Sequence, residues 1–526
     1  MRGSSLRGNR EVLTVASGHG TGVRSGEVNS QMPDMYAIRK SDGNIVPKKQ
    51  ANKEGVSSAE SVEGRTPTKR NTGQLPTVRT QGRGAVSSRL AGVRQAAQRR
   101  KDERFTALLH HVSVELLRKS YYDLKHNAAA GVDNVTWAEY GKSLEVRLPD
   151  LHDRIHRGKY RALPSKRGYL PKPDGGQRPL GIAALEDKIV QRALLEVLNQ
   201  IYEVDFLGFS YGFRPGRNAH DALDALSVAL TRGKVSLVLD ADIRSYFDTI
   251  DHGWLMKCVE HRIADRRVLR LLRKWLQAGV LEEGQLTRTE TGSPQGAVIS
   301  PILANIFLHY VLDKWTHWWR RTQAKGNVIV VRYADDVVFG FQYRWEAEKF
   351  KELLKQRLAQ CGLELHPEKT RLIEFGRFAA TNRKQRGEGR PETFDFLGFT
   401  HICAKSRKGN YIVLRKTIRK RLAAKCRKIR SQIMQRMHDP IPEVGRWLRS
   451  VVIGYQNYFA VLGNMDAVHT LRDEVAKAWK HALCRRSQKG KRLNWGRFSR
   501  IRDYWIPRVQ VKHPLPWERF DAKYPR

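Results

Sequence analysis

The sequence predicts an α/β fold followed by a basic, α-helical region, and three observations carry that expectation. Between Tyr160 and about Phe399, short apolar strands with isolated polar residues alternate with helical stretches. From Lys405 onward the pattern turns helical and strongly basic. There Ile418, Leu422, Cys426, Ile429, Ile433 and Met437 recur at spacings of three and four, one apolar stripe. Before the fold, residues 1 to about 85 hold a single aromatic, Tyr36, among many Gly, Ser, Thr, Asn and Lys/Arg. Such a segment buries too little to offset its ordering entropy and is expected to be a disordered basic arm.

Bulk properties narrow the function. The 526 residues suffice for several domains, each with its own core. Lys and Arg number 96 against 53 Asp and Glu, a formal net charge of +43. An enzyme of small metabolites has no use for that excess, because self-repulsion opposes compaction; a polyanion partner accounts for it, nucleic acid first. A membrane is not expected, since no apolar run of about 20 residues is present. Cys258, Cys361, Cys403, Cys426 and Cys484 form no C-x-x-C pair, which argues against structural zinc or a disulfide framework and fits a reducing compartment.

In chain order, folded character is expected from near Ser87. "RLAGVRQAAQRRKDERFTALLHHV" reads as a long basic helix that Val114 to Tyr122 continue, and "NAAAGVDNVTW" then breaks it at a Gly-Val-Asp turn. In "PKPDGGQRPLGI", Pro173 to Gly176 is a strong turn signal between two short strands, flanked by Lys172 and Arg178. Around the apolar stripe, Lys416, Arg419, Lys420, Arg421, Lys425, Arg427, Lys428, Arg430 and Arg436 occur with no acid between them. That uncompensated run predicts a helix facing RNA or DNA; a solvated face is the plainer alternative. The tail from Cys484 mixes basic residues with Trp495 and Phe498.

The chemistry sits on carboxylates. "VIVVRYADDVVFGF", Val328 to Phe341, reads as a β-hairpin with strands Val328 to Tyr333 and Val337 to Phe341 and a tight connection at Ala334 to Asp336. Asp is a common turn residue, so Asp335 and Asp336 alone mean little. A second apolar strand, "VSLVLDADIRSYFDTID", carries Asp240 and Asp242, which period two puts on one face. The two carboxylate sets lie 93 residues apart and converge only if their strands are sheet neighbours. That arrangement suits hard divalent cations about 3.5–4 Å apart, as in-line phosphoryl transfer requires.

"YADD" resembles the palm hairpin of reverse transcriptases, "DIRSYFDTID" their first catalytic strand, and "TGSPQGAVISPILANIFL" (291–308) the loop and helix between. "GYLPKPDGGQRPLGI", "GFSYGFRPGRNAHDAL", "GLELHPEKTRLIEF", "FDFLGF" and "VVIGYQNYFAVLG" extend the resemblance, in order, across roughly residues 105 to 520. The chain is thus identified as resembling group II intron-encoded reverse transcriptase/maturases. The resemblance implies a right-hand polymerase with fingers and an antiparallel palm sheet over 87–400, an α-helical thumb/maturase domain over 401–484 and a basic DNA-contacting tail over 485–526, after the arm of 1–86.

Further expectations follow from the resemblance. Asp242, Asp335 and Asp336, with the backbone carbonyl of Ile243, would hold two Mg²⁺ ions, whereas Asp240 and Asp248 match no catalytic position. Phe247 matches the steric gate beneath the sugar and implies dNTP use; a core aromatic is the alternative. Lys172 and Arg178 would bind the triphosphate, and Gln295 and Gly296 of "SPQG" would line the nucleotide pocket. Lys369 of "PEKT" would either protonate the leaving pyrophosphate or form a salt bridge. Arg214 and Arg217 are assigned to the template backbone, and Tyr455, Tyr458 and Phe459 to packing of the thumb rather than base stacking. The implied partners are group II intron RNA, a DNA target that serves as primer, and dNTPs. The implied functions are RNA-directed DNA synthesis, assistance to splicing, and retrohoming without an endonuclease domain, in a bacterial, nucleoid-associated setting. A splicing factor that has lost catalysis would not be expected to keep Asp242, Asp335, Asp336, Phe247 and "SPQG" together.

Overall fold

The computed structural model describes residues 78–171, 176–287, 291–292, 296–488 and 490–524, with side chains described from residue 88 on. Strands among these are β1 (Ser165–Pro171), β2 (Gln177–Ile182), β3 (Leu237–Ala241), β4 (Val280–Glu282), β5 (Gln285–Thr287), β6 (Val328–Tyr333), β7 (Asp336–Phe341), β8 (Arg371–Glu374), β9 (Phe394–Phe396), β10 (Phe399–Lys405) and β11 (Tyr411–Thr417). They form three sheets, ordered β2-β1-β4-β5, β6-β7-β3-β8 and β11-β10-β9.

The middle sheet is antiparallel throughout and carries the carboxylates. Its strands are apolar on both sides because both faces are covered. Leu239, Ala241, Val330, Phe339 and Phe341 enter one core with residues of helices Leu185–Asp205, Ser300–Leu308 and Arg344–Ala359. Val238, Ile329, Val331, Val338 and Ile373 enter a second core with helix Ala219–Arg232 and the β11-β10-β9 sheet. A strand buried on two faces loses the simple apolar–polar alternation, which is why "VIVV" and "VVFGF" read as continuous apolar runs.

Two sequence expectations need correction. The N-terminal basic helix spans Val78–Arg99 and stops there, rather than running through "KDERFTALLHHV". Tertiary partners take that backbone instead. Phe105 pairs with the chain at Arg262 to Asp265, and the Asp265 carboxylate accepts from the N–H groups of Leu108 and Leu109 at 2.7 and 2.9 Å. A helix does resume at Val114–Asp123, capped by Ser113. Second, the region after Lys405 opens with a strand, β11, joined to β10 through a turn at Gly409, so helical structure begins only at Arg419–Gln435. The C-terminal helix Pro516–Lys523 packs on helix Ala219–Arg232. Asp224 there pairs with both Arg415 of β11 and Arg519, and Asp521 with Arg232.

A third core joins helices Arg419–Gln435, Ile441–Phe459, Met465–Arg486 and Trp495–Trp505. Of the expected stripe, Ile429 and Ile433 are fully buried, and Leu422, Cys426 and Met437 pack partly against them. Of the disordered arm expected over 1–86, residues 1–77 lie outside the described residues, and 78–86 belong instead to helix Val78–Arg99. No helix among the described residues is long and apolar enough to cross a membrane.

Candidate active site

β3 and β7 are neighbours, paired from Leu237 opposite Phe341 to Ala241 opposite Val337. One step past the last pair, this register sets Asp242 across from Asp336. The hairpin β6–β7 pairs Tyr333 with Asp336, so Ala334 and Asp335 alone form its tip. The two carboxylate sets, 93 residues apart in sequence, therefore meet at one end of one sheet.

Local chemistry explains how each is held. Beyond β3 the backbone at Asp242 stays tied, its carbonyl accepting from His366 N–H at 2.8 Å, and Arg244 N–H donating to the Glu364 carbonyl at 2.9 Å. Ile243 is buried in the bridge this forms with Leu365. Ala334 has φ +56°, a backbone region that a residue with a Cβ adopts at a cost. Its carbonyl accepts from Arg332 Nη1 at 2.8 Å. Arg332 is itself fully buried and bound to Asp313 and Asn305.

The carboxylates load one another. Asp335 is raised above the ordinary carboxylate range, by burial first and by the charge of Asp242, while Arg178 and Arg332 oppose the rise. Asp336 opens to solvent at the rim, yet its carboxyl is pushed up to about 7 by its low-dielectric surroundings and then by Asp335, Asp242 and Asp240. Asp240, paired in the sheet with Arg371, is also pushed up to about 7, by burial first; Asp242 and Asp395 add to it. Asp242 is contacted by a cation, Lys369 Nζ, 3.2 Å from Oδ2.

Neighbouring strands thus bring together carboxylates, one of them paired with Lys369, as a hard oxygen donor set whose chemistry fits Mg²⁺. Among the described residues, no three His, Cys, Asp or Glu side chains are gathered closely enough to enclose an ion as they stand. The donor chemistry fits the ion.

Around this cluster the other expected residues fall into place or out of it. Arg178 lies exposed on β2, near enough for its charge to act on Asp335. Gly296, at φ +103°, backs onto β2, where an added Cβ would stand 3.1 Å from the Gly181 carbonyl. The same loop begins at Gly292, beside the backbone of Phe247 and Asp248. Phe247 is half-buried in the short helix Tyr246–Thr249, its ring edge-on to Tyr246 at 5.3 Å. Lys172 and Gln295 lie outside the described residues.

Arg214 does not track a nucleic-acid backbone. It is buried, pairs with Glu203 at 3.0 Å and donates to the carbonyls of Leu207 and Ser210, so none of its donors points outward. Arg217 is half-buried and also donates to the Ser210 carbonyl. Lys416 lies on β11, not on the helix, and pairs with Asp466 at 2.9 Å, an acid 50 residues away. Arg419, Lys420, Lys425, Arg427 and Lys428 are exposed on helix Arg419–Gln435, which carries no acid. Tyr455 stacks on Phe459, and Tyr458 donates to the Leu397 carbonyl at 2.8 Å; these rings pack. Sequence reasoning missed Arg332, Asp313, Asn305 and Gly212, although a lone arginine inside an apolar strand was a readable signal.

Residues 170–401 match the reverse transcriptase (RNA-dependent DNA polymerase) family. The chain is 37% identical over 320 residues to Protein YkfC of Escherichia coli (strain K12), covering 54% of this chain and 78% of that protein. It is 33% identical over 228 residues to the group II intron-encoded protein LtrA of Lactococcus lactis subsp. cremoris, covering 43% of this chain but 38% of LtrA. It is 30% identical over 217 residues to the putative COX1/OXI3 intron 1 protein of Saccharomyces cerevisiae, covering 41% of this chain and 26% of that protein. The carboxylate end of the β6-β7-β3-β8 sheet falls within the matched segment, and the chain belongs to the reverse transcriptase (RNA-dependent DNA polymerase) family.

Proposed function

We propose that the carboxylate cluster is the nucleotidyl-transfer site of an RNA-directed DNA polymerase that copies a group II intron RNA. The observation that carries this reading is the register that sets Asp242 opposite Asp336, with Asp335 at the adjoining tip and Arg178 in electrostatic reach. Asp242, Asp335, Asp336 and the Ile243 carbonyl would hold two Mg²⁺ ions, which when bound lower the pKa of the attacking hydroxyl and stabilise the leaving pyrophosphate. The protein residues do the positioning. Arg178, with Lys172, neutralises the triphosphate, since a guanidinium matches phosphoryl oxygens in charge and geometry. Phe247 sits beneath the sugar and excludes a 2′-hydroxyl. Gly296 lets the backbone close on the nucleotide, and Gln295 hydrogen-bonds to its sugar or base. Lys369 leaves Asp242 and delivers a proton to the pyrophosphate.

In this reading residues 87–400 form fingers and palm and 401–484 the thumb, including the β10–β11 hairpin at its base. Arg419, Lys420, Lys425, Arg427 and Lys428 line the RNA-facing side of helix Arg419–Gln435, with Arg217 near the template. The exposed Arg497 and Arg500 of helix Trp495–Trp505 supply the DNA contacts of 485–526. The further assignment is that the chain binds the intron RNA to assist its splicing and then copies it into DNA by target-primed synthesis; the names of the LtrA and yeast relatives support the link to introns alone. The test is extension of a DNA primer on an RNA template with Mg²⁺. Incorporation of dNTPs supports the polymerase reading, and inertness with every template and primer pair removes it.

A further inference from the structure

We infer that Arg332 is a positioning residue that fixes the place of Asp335 and thereby sets the affinity of the carboxylate cluster for a divalent cation, an inference that rests on the polymerase reading above. The guanidinium has more donors than its ion pair uses. Nε and Nη2 go to the two oxygens of Asp313 at 2.7 and 2.5 Å. Nη1 divides between Asn305 Oδ1 at 3.0 Å and the Ala334 carbonyl at 2.8 Å. The last of these is the residue immediately before Asp335, in the backbone conformation that needs an external hold.

The far side of the tip is closed as well. Asn305 Nδ2 donates to the Gly212 carbonyl at 2.8 Å. Gly212 lies so close to the tip that an added Cβ would run into Ala334 N, with Tyr333 C at 2.9 Å and Ala334 Cα at 3.0 Å. On the flank, Arg332 N–H donates to the Phe209 carbonyl at 2.9 Å and Tyr211 N–H to the Arg332 carbonyl at 2.8 Å. Helix Ser300–Leu308, the segment 209–212 and the hairpin tip thus meet at one buried fork.

A structural ion pair with Asp313 needs only one edge of that fork. The other edge is aimed at the tip, and a lysine, a point charge on a flexible stem, reproduces the charge but not the second edge. Outer contacts of this kind hold a ligand in place, and their loss weakens metal binding without touching the metal.

The experiment uses the full chain. Mn²⁺ binding is titrated by the electron paramagnetic resonance signal of free Mn²⁺, without nucleotide or nucleic acid, for wild type, Arg332→Lys, Gly212→Ala, Asn305→Ala and Asp335→Ala. Circular dichroism and RNA binding check that each variant is folded. Arg332→Lys and Gly212→Ala are expected to weaken Mn²⁺ binding by about 10–100-fold. Raised Mg²⁺ should restore primer extension to Arg332→Lys but not to Asp335→Ala, a rescue that a merely structural role would not give. Folded Arg332→Lys and Gly212→Ala variants that bind Mn²⁺ like wild type overturn the inference. Should Arg332→Lys not fold, Gly212→Ala and Asn305→Ala decide it on the same titration. Wild-type Mn²⁺ binding by Asp335→Ala would instead overturn the metal-site reading itself, so the two failures are told apart.

Discussion

Arg332 and Asp313 form a two-bond ion pair, Nε to Oδ1 at 2.7 Å and Nη2 to Oδ2 at 2.5 Å, and neither side chain reaches solvent. Two charges taken wholly out of water are tolerated only as a pair. Asp313→Ala should therefore cost about 3–5 kcal/mol, because it strands a buried guanidinium. Thermal unfolding followed by circular dichroism reads this as a lowered first transition. Replacing both residues by apolar side chains of similar volume should recover much of the loss, whereas an Asp313→Ala protein as stable as wild type would contradict the pairing.

Asp240 gives a pH-dependent stability with a definite sign. Its folded pKa, about 7, lies above the ordinary carboxylate value because burial disfavours the charged form. The protonated carboxyl is thus favoured by folding, a contribution complete below about pH 4 and lost as pH rises through about 7. Asp240→Asn cannot ionise and escapes that loss. Melting curves of the metal-free proteins should coincide most closely at about pH 4 and below and separate in favour of Asp240→Asn by pH 8. A separation that shrinks with rising pH would reverse the assignment.

Lys369 offers a separation of stability from rate. Its side chain is 65% exposed, so its pair with Asp242 should contribute no more than about 1 kcal/mol to stability. A proton donor to pyrophosphate is worth about 10²–10⁴-fold in rate. Lys369→Met should accordingly melt close to wild type while kcat falls by about 10²-fold or more, with KM for dNTP little changed. Unchanged kcat would reduce Lys369 to a salt-bridge partner.

Phe247 is held edge-on to Tyr246 in the four-residue helix Tyr246–Thr249, and the Tyr246 hydroxyl donates to the Ala304 carbonyl at 2.6 Å. That hydrogen bond anchors Tyr246, against which the Phe247 ring rests edge-on. Phe247→Ala should admit rNTPs, raising the ratio of rNTP to dNTP kcat/KM by about 10²-fold, a few kcal/mol of lost steric exclusion. Strict dNTP choice by the variant would remove the gate.

What was legible in the sequence was what local pattern controls. The strands of "VIVVRYADDVVFGF", the tight tip between them, and the burial of Ile429 and Ile433 all follow from periodicity and turn chemistry. The convergence of Asp242 with Asp336 was posed as a condition, neighbouring strands, and β3 and β7 meet it. What was not legible depends on partners distant in sequence. The charge of Arg214 says nothing of Glu203, which turns it inward, and the basic run around Lys416 does not announce Asp466. The helical pattern past Arg99 gave no hint that Asp265 would capture the N–H groups of Leu108 and Leu109. Arg332 stood in plain view inside an apolar strand; its partner Asp313 lies 19 residues back on a separate helical turn.

The most direct test of the central claim is Asp335→Ala in primer extension on an RNA template with Mg²⁺ and dNTPs, alongside binding of the same RNA. The account predicts that synthesis is abolished while RNA affinity stays near wild type, because the basic surface of helix Arg419–Gln435 is untouched. Extension by Asp335→Ala at the wild-type rate would contradict it.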